Sequence, residues 1–177
     1  WEGGVRMPTI ASWPGHIPAG KVVTLPSISF SWAPTFTDMA RMPAPARMDG
    51  VSMLPPLTGK GIQLPLIIYN EYYNNGMTPD FKEFSPGHRG RVRKQMQWIR
   101  IGDYAGVRYD VKSGEDDFEI YNVVKDPGER NNLAATNVRT TLPGDAQNIS
   151  VAALQQMMKN KALQIRRPDT AATRPYD

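Results

Sequence analysis

No cysteine occurs among the 177 residues. Disulfides, thiolate metal sites and cysteine nucleophiles are excluded by that absence alone. No apolar run approaches the ~20 residues that a membrane-spanning helix needs. No leader pattern opens the chain. It begins on Trp1 rather than Met, so the reading expects its true N-terminus to lie further upstream. Internal repeats and low-complexity tracts are missing. So is any group of Asp and Asn with the spacing of a calcium loop; Asp116-Asp117 and Asn131-Asn132 read as turn and strand-end residues. The formal charge of +4 and the pI near 9.4 are mild. They favour anionic ligands in general. Too few aromatics are interleaved with the charge for nucleic-acid binding.

Proline (16) and glycine (15) are plentiful, which predicts many turns and short elements. Met7 to Trp13 reads as a short buried strand ending at the Pro14-Gly15 turn. Ser31 is placed to cap a helix, with Pro34 in its first turn and Phe36, Met39 and Ala40 as its apolar face. Leu64 to Tyr73 is apolar and aromatic and predicts a strand, followed by a long polar loop from Asn74 to Gly90. Gln95–Ile101, Tyr104–Tyr109 and Asp117–Val123 predict an antiparallel meander with turns at Gly102-Asp103 and Ser113-Gly114-Glu115. Ser150 caps a last helix over about 150–165, with Val151, Leu154, Met157, Met158, Ala162, Leu163 and Ile165 at helical spacing. Residues 166–177 read as an irregular tail. One strand and one helix before Gly61 are too few to close a domain. The pattern is an α/β remnant over 1–61, then a small α+β subdomain over 62–165: an antiparallel sheet of about four strands with one packed C-terminal helix.

Several segments, in order, resemble the sulfatase family. Trp1-Glu2-Gly3-Gly4-Val5-Arg6-Met7-Pro8 is similar to its aromatic-E-G-G-x-R-x-P signature, and Ser12-Trp13-Pro14-Gly15-His16-Ile17 to the W-P-G turn that follows. Ser31-Trp32-Ala33-Pro34-Thr35 resembles a D-x-x-P-T helix start, with Ser in place of Asp. Asp49-Gly50-Val51-Ser52 and Leu57-Thr58-Gly59 resemble the D-G-x-S and L-x-G pieces. Tyr121 to Leu133 (Y-N-V-V-K-D-P-G-E-R-N-N-L) resembles the Y-D-L-x-x-D-P-x-E-x-x-N-L segment, with Asn122 in place of Asp. Tyr104-Ala105-Gly106 departs from the lysine-containing strand common there.

The resemblance implies an alkaline-phosphatase-like α/β fold and the C-terminal part of a formylglycine-dependent arylsulfatase-type hydrolase of sulfate esters. It implies a calcium ion and a formylglycine made from Cys or Ser in a C/S-x-P-x-R motif. Neither maps onto this chain: the nearest serine match, Ser12-Trp13-Pro14-Gly15-His16, ends in His. No catalytic or metal residue is expected here, no cofactor is expected to be bound by this chain, and the chain alone is expected to hydrolyse nothing. Its expected role is to finish the fold and line the substrate cleft. Its expected partners are the rest of the catalytic domain and, for the parent enzyme, a sulfated small molecule or glycan, with no nucleic acid and no membrane. Absence of cysteine fits a bacterial source, for which the family suggests export. Truncation at the front predicts uncovered apolar surface and self-association.

The basic run His88-Arg89-Gly90-Arg91-Val92-Arg93-Lys94 reads in two ways. It is either a solvated loop and strand face or the rim of a cleft that meets an anionic substrate through guanidinium groups. His88, Arg89 and Arg91 are the candidate contacts. Tyr72, on the strand before this loop, is a further candidate whose ring can stack on a sugar or aryl group; packing on the sheet is its other reading. His16 reads as a surface residue. Glu2 and Arg6 read as an ion pair. A second reading of the whole chain is a non-catalytic module that binds sulfated glycans or a partner chain.

Overall fold

The structure is a computed structural model, and it describes residues 1–44, 48–66, 68–135, 141–142 and 149–166. The tail expected beyond the last helix lies outside the described residues. The chain forms two compact units, one built on Met7–Ile68 and the other on Trp1–Arg6 together with Tyr69–Arg167.

In the second unit the Trp1–Arg6 segment contains a single helical turn, α1 (Glu2–Val5). The Glu129 carboxylate accepts the Glu2 backbone N–H at 2.9 Å, which satisfies a donor that a helix start leaves open.

The Met7–Ile68 unit contains α2 (Trp32–Met39) and α3 (Leu54–Thr58). The strand expected over Met7–Trp13 does not form: Met7 is 79% and Ile10 96% exposed. Among the described residues of this unit no neighbouring strand supplies a ladder for it. Ser31 precedes α2 without a side-chain cap bond. A 3₁₀ turn over Ser29–Ser31 runs straight into the helix, so Ser31 has helical rather than extended dihedrals. The apolar face also differs from expectation, because Phe36 is exposed and Pro34 and Thr35 are the buried pair.

Thr35 fixes this unit. Its hydroxyl donates to the Ser31 carbonyl at 2.6 Å and accepts the Met53 N–H at 2.8 Å, with the side chain fully buried. Thr35→Val keeps the shape but strands the Met53 donor, and a buried donor left unpaired costs about 1–3 kcal/mol. Urea unfolding of the variant is expected to lose that amount. A midpoint unchanged from the parent would show that the bond adds nothing.

The second unit is built on a four-stranded sheet in the order β1 (Ile68–Met77), β2 (Val92–Ile101), β3 (Tyr104–Arg108) and β4 (Glu119–Asn122). The meander and the four-stranded antiparallel sheet are as the sequence predicts. Strand β1 begins four residues later than predicted and runs to Met77, into what reads as loop. Reciprocal bonds between Thr78 and the Gly90–Arg91 backbone close the way back into β2. Strands β2 and β3 pair antiparallel with Ile99 opposite Gly106, and β3 and β4 with Gly106 opposite Ile120. A short pair, β5 (Thr141–Leu142) and β6 (Ile149–Ser150), precedes α4 (Val151–Arg166). Ser150 caps α4 through the Ala153 N–H at 3.1 Å.

Helix α4 covers one sheet face with Leu154, Met158 and Ala162, spaced four apart and essentially inaccessible. The predicted stripe was wider: Met157, Leu163 and Ile165 stay partly in solvent. Met96, Gln97, Trp98 and Ile99 are all buried in succession. Both sheet faces are therefore covered at this point, which hides the alternation expected of a half-exposed strand. Trp1 and Glu2 lie on the face opposite α4, beside Arg100, His88 and Tyr109.

Candidate functional site

The segment from Tyr121 to Leu133 is a chain of side-chain-to-backbone bonds. Asn122 Oδ1 accepts from the N–H groups of Val124 and Lys125. An Asp in its place would offer the same oxygen, so that departure from the family pattern is neutral to the turn. Asp126 Oδ2 accepts from the Arg130 and Asn131 N–H groups, both at 2.8 Å. Asn132 Oδ1 accepts from Ile120 and Ala134, tying the turn to β4. This path brings Glu129 under α1 and sends Arg130 and Asn132 towards a cavity.

Beneath α1 lies a buried charged cluster. Glu2 and Glu129 are each 2% exposed. Glu2 pairs with Arg100 and lies 3.8 Å from Arg6, as its sequence spacing predicts. One oxygen of each carboxylate has no hydrogen-bond partner among the described residues. Burial raises the Glu129 carboxyl above the usual range, with the Glu2 charge adding to it and the Glu2 N–H opposing it. Sequence reading marked Glu2 and Glu129 in separate segments but not their pairing across 127 positions.

Next to this cluster is a cavity of about 630 Å³ within the sheet unit. Its lining includes Lys82, His88, Arg89 and Arg91 from the loop before β2, Glu119 and Tyr121 from β4, and Arg130 and Asn132 from the turn. Three of the four residues singled out in the sequence thus converge. Tyr72 does not join them; it stands on β1, 55% exposed and outside the lining.

The three arginines differ in how they are held. Arg89 donates to the Phe84 carbonyl at 2.8 Å and to the Lys82 carbonyl at 2.5 Å, so it braces its own loop. Arg91 pairs with Glu119 and lies 4.4 Å over the Tyr109 ring. Arg130 has neither kind of partner among the described residues. His88 is held by two aromatic rings. Its ring stacks on Trp1 with centroids 4.3 Å apart, Tyr121 meets it edge-on, and Nε2 lies 3.4 Å from the Tyr121 hydroxyl. Burial lowers the His88 pKa below its ordinary value; the nearby Glu119 charge opposes that and the Arg91 charge assists it. At neutral pH the ring is uncharged. Tyr121 donates to Glu119 at 2.8 Å, and burial with this bond pushes its phenol well above the usual range. The lining offers binding groups of both signs and fixed hydrogen-bond directions.

Calcium and formylglycine do not fit the residues present. Among the described residues no group of three His, Cys, Asp or Glu side chains is placed to hold a metal ion. No cysteine occurs to be converted, and the nearest serine match, Ser12-Trp13-Pro14-Gly15-His16, ends in His where the motif needs Arg. No chemical step is assigned to either group in this chain. Among the described residues no helix is long and apolar enough to cross a membrane.

Comparison with known proteins adds the wider context. Residues 1–160 match the family model described as N-sulphoglucosamine sulphohydrolase, C-terminal. Arylsulfatase A of Homo sapiens is 31% identical over 154 residues, covering 75% of this chain and 27% of that protein. The N-acetylglucosamine-6-O-sulfatase of Bacteroides thetaiotaomicron is 30% identical over 132 residues, covering 72% of this chain and 21% of that one. A solved structure described as a complex with its substrate D-glucosamine-2-N,6-O-disulfate superposes with a TM-score of 0.47 at 21% identity, over 80% of this chain and 25% of that one. The chain spans about a quarter of the length of the relatives it matches.

Proposed function

Because this chain belongs to the N-sulphoglucosamine sulphohydrolase C-terminal family, a family of sulfatases, we propose that it is the C-terminal portion of an enzyme that hydrolyses sulfate esters. The observation that carries this reading is the match over residues 1–160. It is supported by the bond that joins the two best-marked segments, Glu2 N–H to Glu129. The chain completes the fold and does not react alone. Residues 1–61 then form the end of the catalytic domain, and 62–165 its C-terminal subdomain. The cavity bearing His88, Arg89 and Arg91 edges the substrate cleft, where a basic rim attracts a sulfated small molecule or glycan. Side chains such as Met7, Ile10, Val22, Ile62 and Leu64, each more than 60% exposed, are where the rest of the catalytic domain packs.

Sulfate release tests the proposal. The complete gene product, incubated with 4-nitrophenyl sulfate and with sulfated monosaccharides, is expected to liberate inorganic sulfate, read by ion chromatography. The 177-residue chain by itself is expected to liberate none. A complete gene product that binds sulfated glycans but frees no sulfate would sink the enzyme reading in favour of a non-catalytic binding module. Activity in the isolated chain would contradict the division of labour.

A further inference from the structure

We propose that His88 and Arg130 act as a matched pair in the cavity, His88 Nδ1 accepting a hydrogen bond from a sugar hydroxyl and Arg130 pairing with a second anionic group on the same sugar. This rests on the reading of the cavity as an edge of the substrate cleft. It names the substrate class as a saccharide that carries a negative oxyanion substituent besides the ester to be cleaved.

The His88 assignment follows from counting protons. Glu119 is the acceptor in an ion pair with Arg91, and the oxygens of a carboxylate only accept. One takes the Arg91 guanidinium and the other the Tyr121 hydroxyl at 2.8 Å. The single phenol proton is then committed to Glu119. The Tyr121 oxygen has only lone pairs left for His88, so Nε2, 3.4 Å away, is the nitrogen that bears hydrogen. In the uncharged ring Nδ1 is then a bare acceptor. It has no partner among the described residues, and His88 belongs to the cavity lining. The stack on Trp1 fixes the ring plane. A basic-looking residue thus presents a lone pair, suited to an O–H donor and not to an anion. The lowered pKa of His88 keeps it in that state.

Arg130 supplies the charge. Its backbone N–H is pinned to Asp126 at 2.8 Å. Its side chain lies across Gly128: a methyl group there would stand 3.2 Å from the Arg130 Nε and 3.6 Å from its Cγ. With Arg89 bound to carbonyls and Arg91 to Glu119, Arg130 is the lining guanidinium with no acceptor of its own among the described residues. A planar fork of donors suits a carboxylate or sulfate. Lys82 adds a second cation to the same lining.

The test compares three substrates with the complete gene product: a monosaccharide disulfate, the matching monosulfate, and 4-nitrophenyl sulfate. Arg130→Ala is expected to lower the kcat/KM ratio of disulfate to monosulfate about tenfold, chiefly through KM, with Arg130→Lys intermediate. His88→Ala is expected to lower the ratio of either sugar to 4-nitrophenyl sulfate about tenfold. His88→Asn, whose amide oxygen can take the place of Nδ1, is expected to recover most of it. Replacing the second sulfate by a carboxylate tells which oxyanion Arg130 prefers. If both alanine variants leave the ratios unchanged, whatever happens to kcat, the pair does not select substrate and the inference fails. Should the parent protein free no sulfate from any of the three, the enzyme reading fails separately. Calorimetric titration of the disulfate and monosulfate then decides this inference: disulfate affinity lost in Arg130→Ala supports it, and unchanged affinity overturns it.

Discussion

Arg100→Leu is expected to cost about 3–5 kcal/mol of stability in urea unfolding, the range found when one partner of a buried ion pair is removed. Arg100 is the cation closest to Glu2, and its Nε is also held by the Gly102 carbonyl at 2.9 Å. The other basic neighbour of Glu2, Arg6, lies 3.8 Å away with a side chain 67% exposed, so solvent screens it. Without Arg100, two carboxylates that are each 2% exposed face one another, with the Glu2 N–H among the groups that oppose the Glu129 charge. The pH dependence has a definite sign. Burial raises the folded-state pKa of Glu129, so the folded state binds more protons than the unfolded chain above the ordinary carboxyl range. Stability from this group is present at low pH and is lost as pH rises through the raised value. The variant is therefore expected to lose more between pH 5 and pH 8 than the parent does. Equal losses at both pH values would mean that the cluster is wet and that Arg100 contributes only packing. The effect would be felt at the cavity too, because Glu2 is preceded by Trp1, the ring on which His88 stacks.

The fold was legible where a residue's role is local. Ser150 before a periodic run is a cap, and it caps. The Gly102-Asp103 turn joins β2 to β3. Local signals misled where partners lie far away in sequence. The apolar run at Met7–Trp13 looks like a strand by composition, but a strand exists only with a neighbour to bond. The buried Thr35 gives no sign in the sequence that its hydroxyl will reach Met53. At the cavity, charge density marked a loop that the fold places in its lining. It could not separate the three arginines, because an arginine's availability depends on which carbonyl or carboxylate the fold places beside it. Arg130 was read only as a member of the family segment; its backbone is bonded to Asp126, and the residue belongs to the cavity lining. Glu129 was marked only as a member of the family segment, and Glu119 was not singled out. The signal that finds them is a pairing with Glu2 and Arg91, across 127 and 28 positions.

Met158→Ala is expected to destabilise the sheet unit by about 2–5 kcal/mol, as loss of a fully buried methionine does when a cavity remains. Gly106→Ala alone is expected to cost about 1–3 kcal/mol by overpacking. Its new methyl group would stand 2.5 Å from the Met158 sulfur, 3.1 Å from the Phe118 ring and 3.2 Å from an Ile99 methyl. Gly106 lies between Ile99 and Ile120 on neighbouring strands, so the helix settles on the sheet at the one position in that row without a side chain. The double variant is expected to cost clearly less than the sum, because the added methyl occupies part of the space that the methionine leaves. Additive losses would mean that the helix shifts away in each case and that the two positions do not share a contact. The same packing bears on the cavity. Strand β4 presents Ile120 towards α4, and Glu119 and Tyr121 towards the opposite face. A helix lifted by Gly106→Ala would carry β4 with it and lengthen the Tyr121 contact that sets which nitrogen of His88 bears the proton. His88 imidazole resonances, followed by NMR, should therefore move in Gly106→Ala and return towards their parent positions in the double variant.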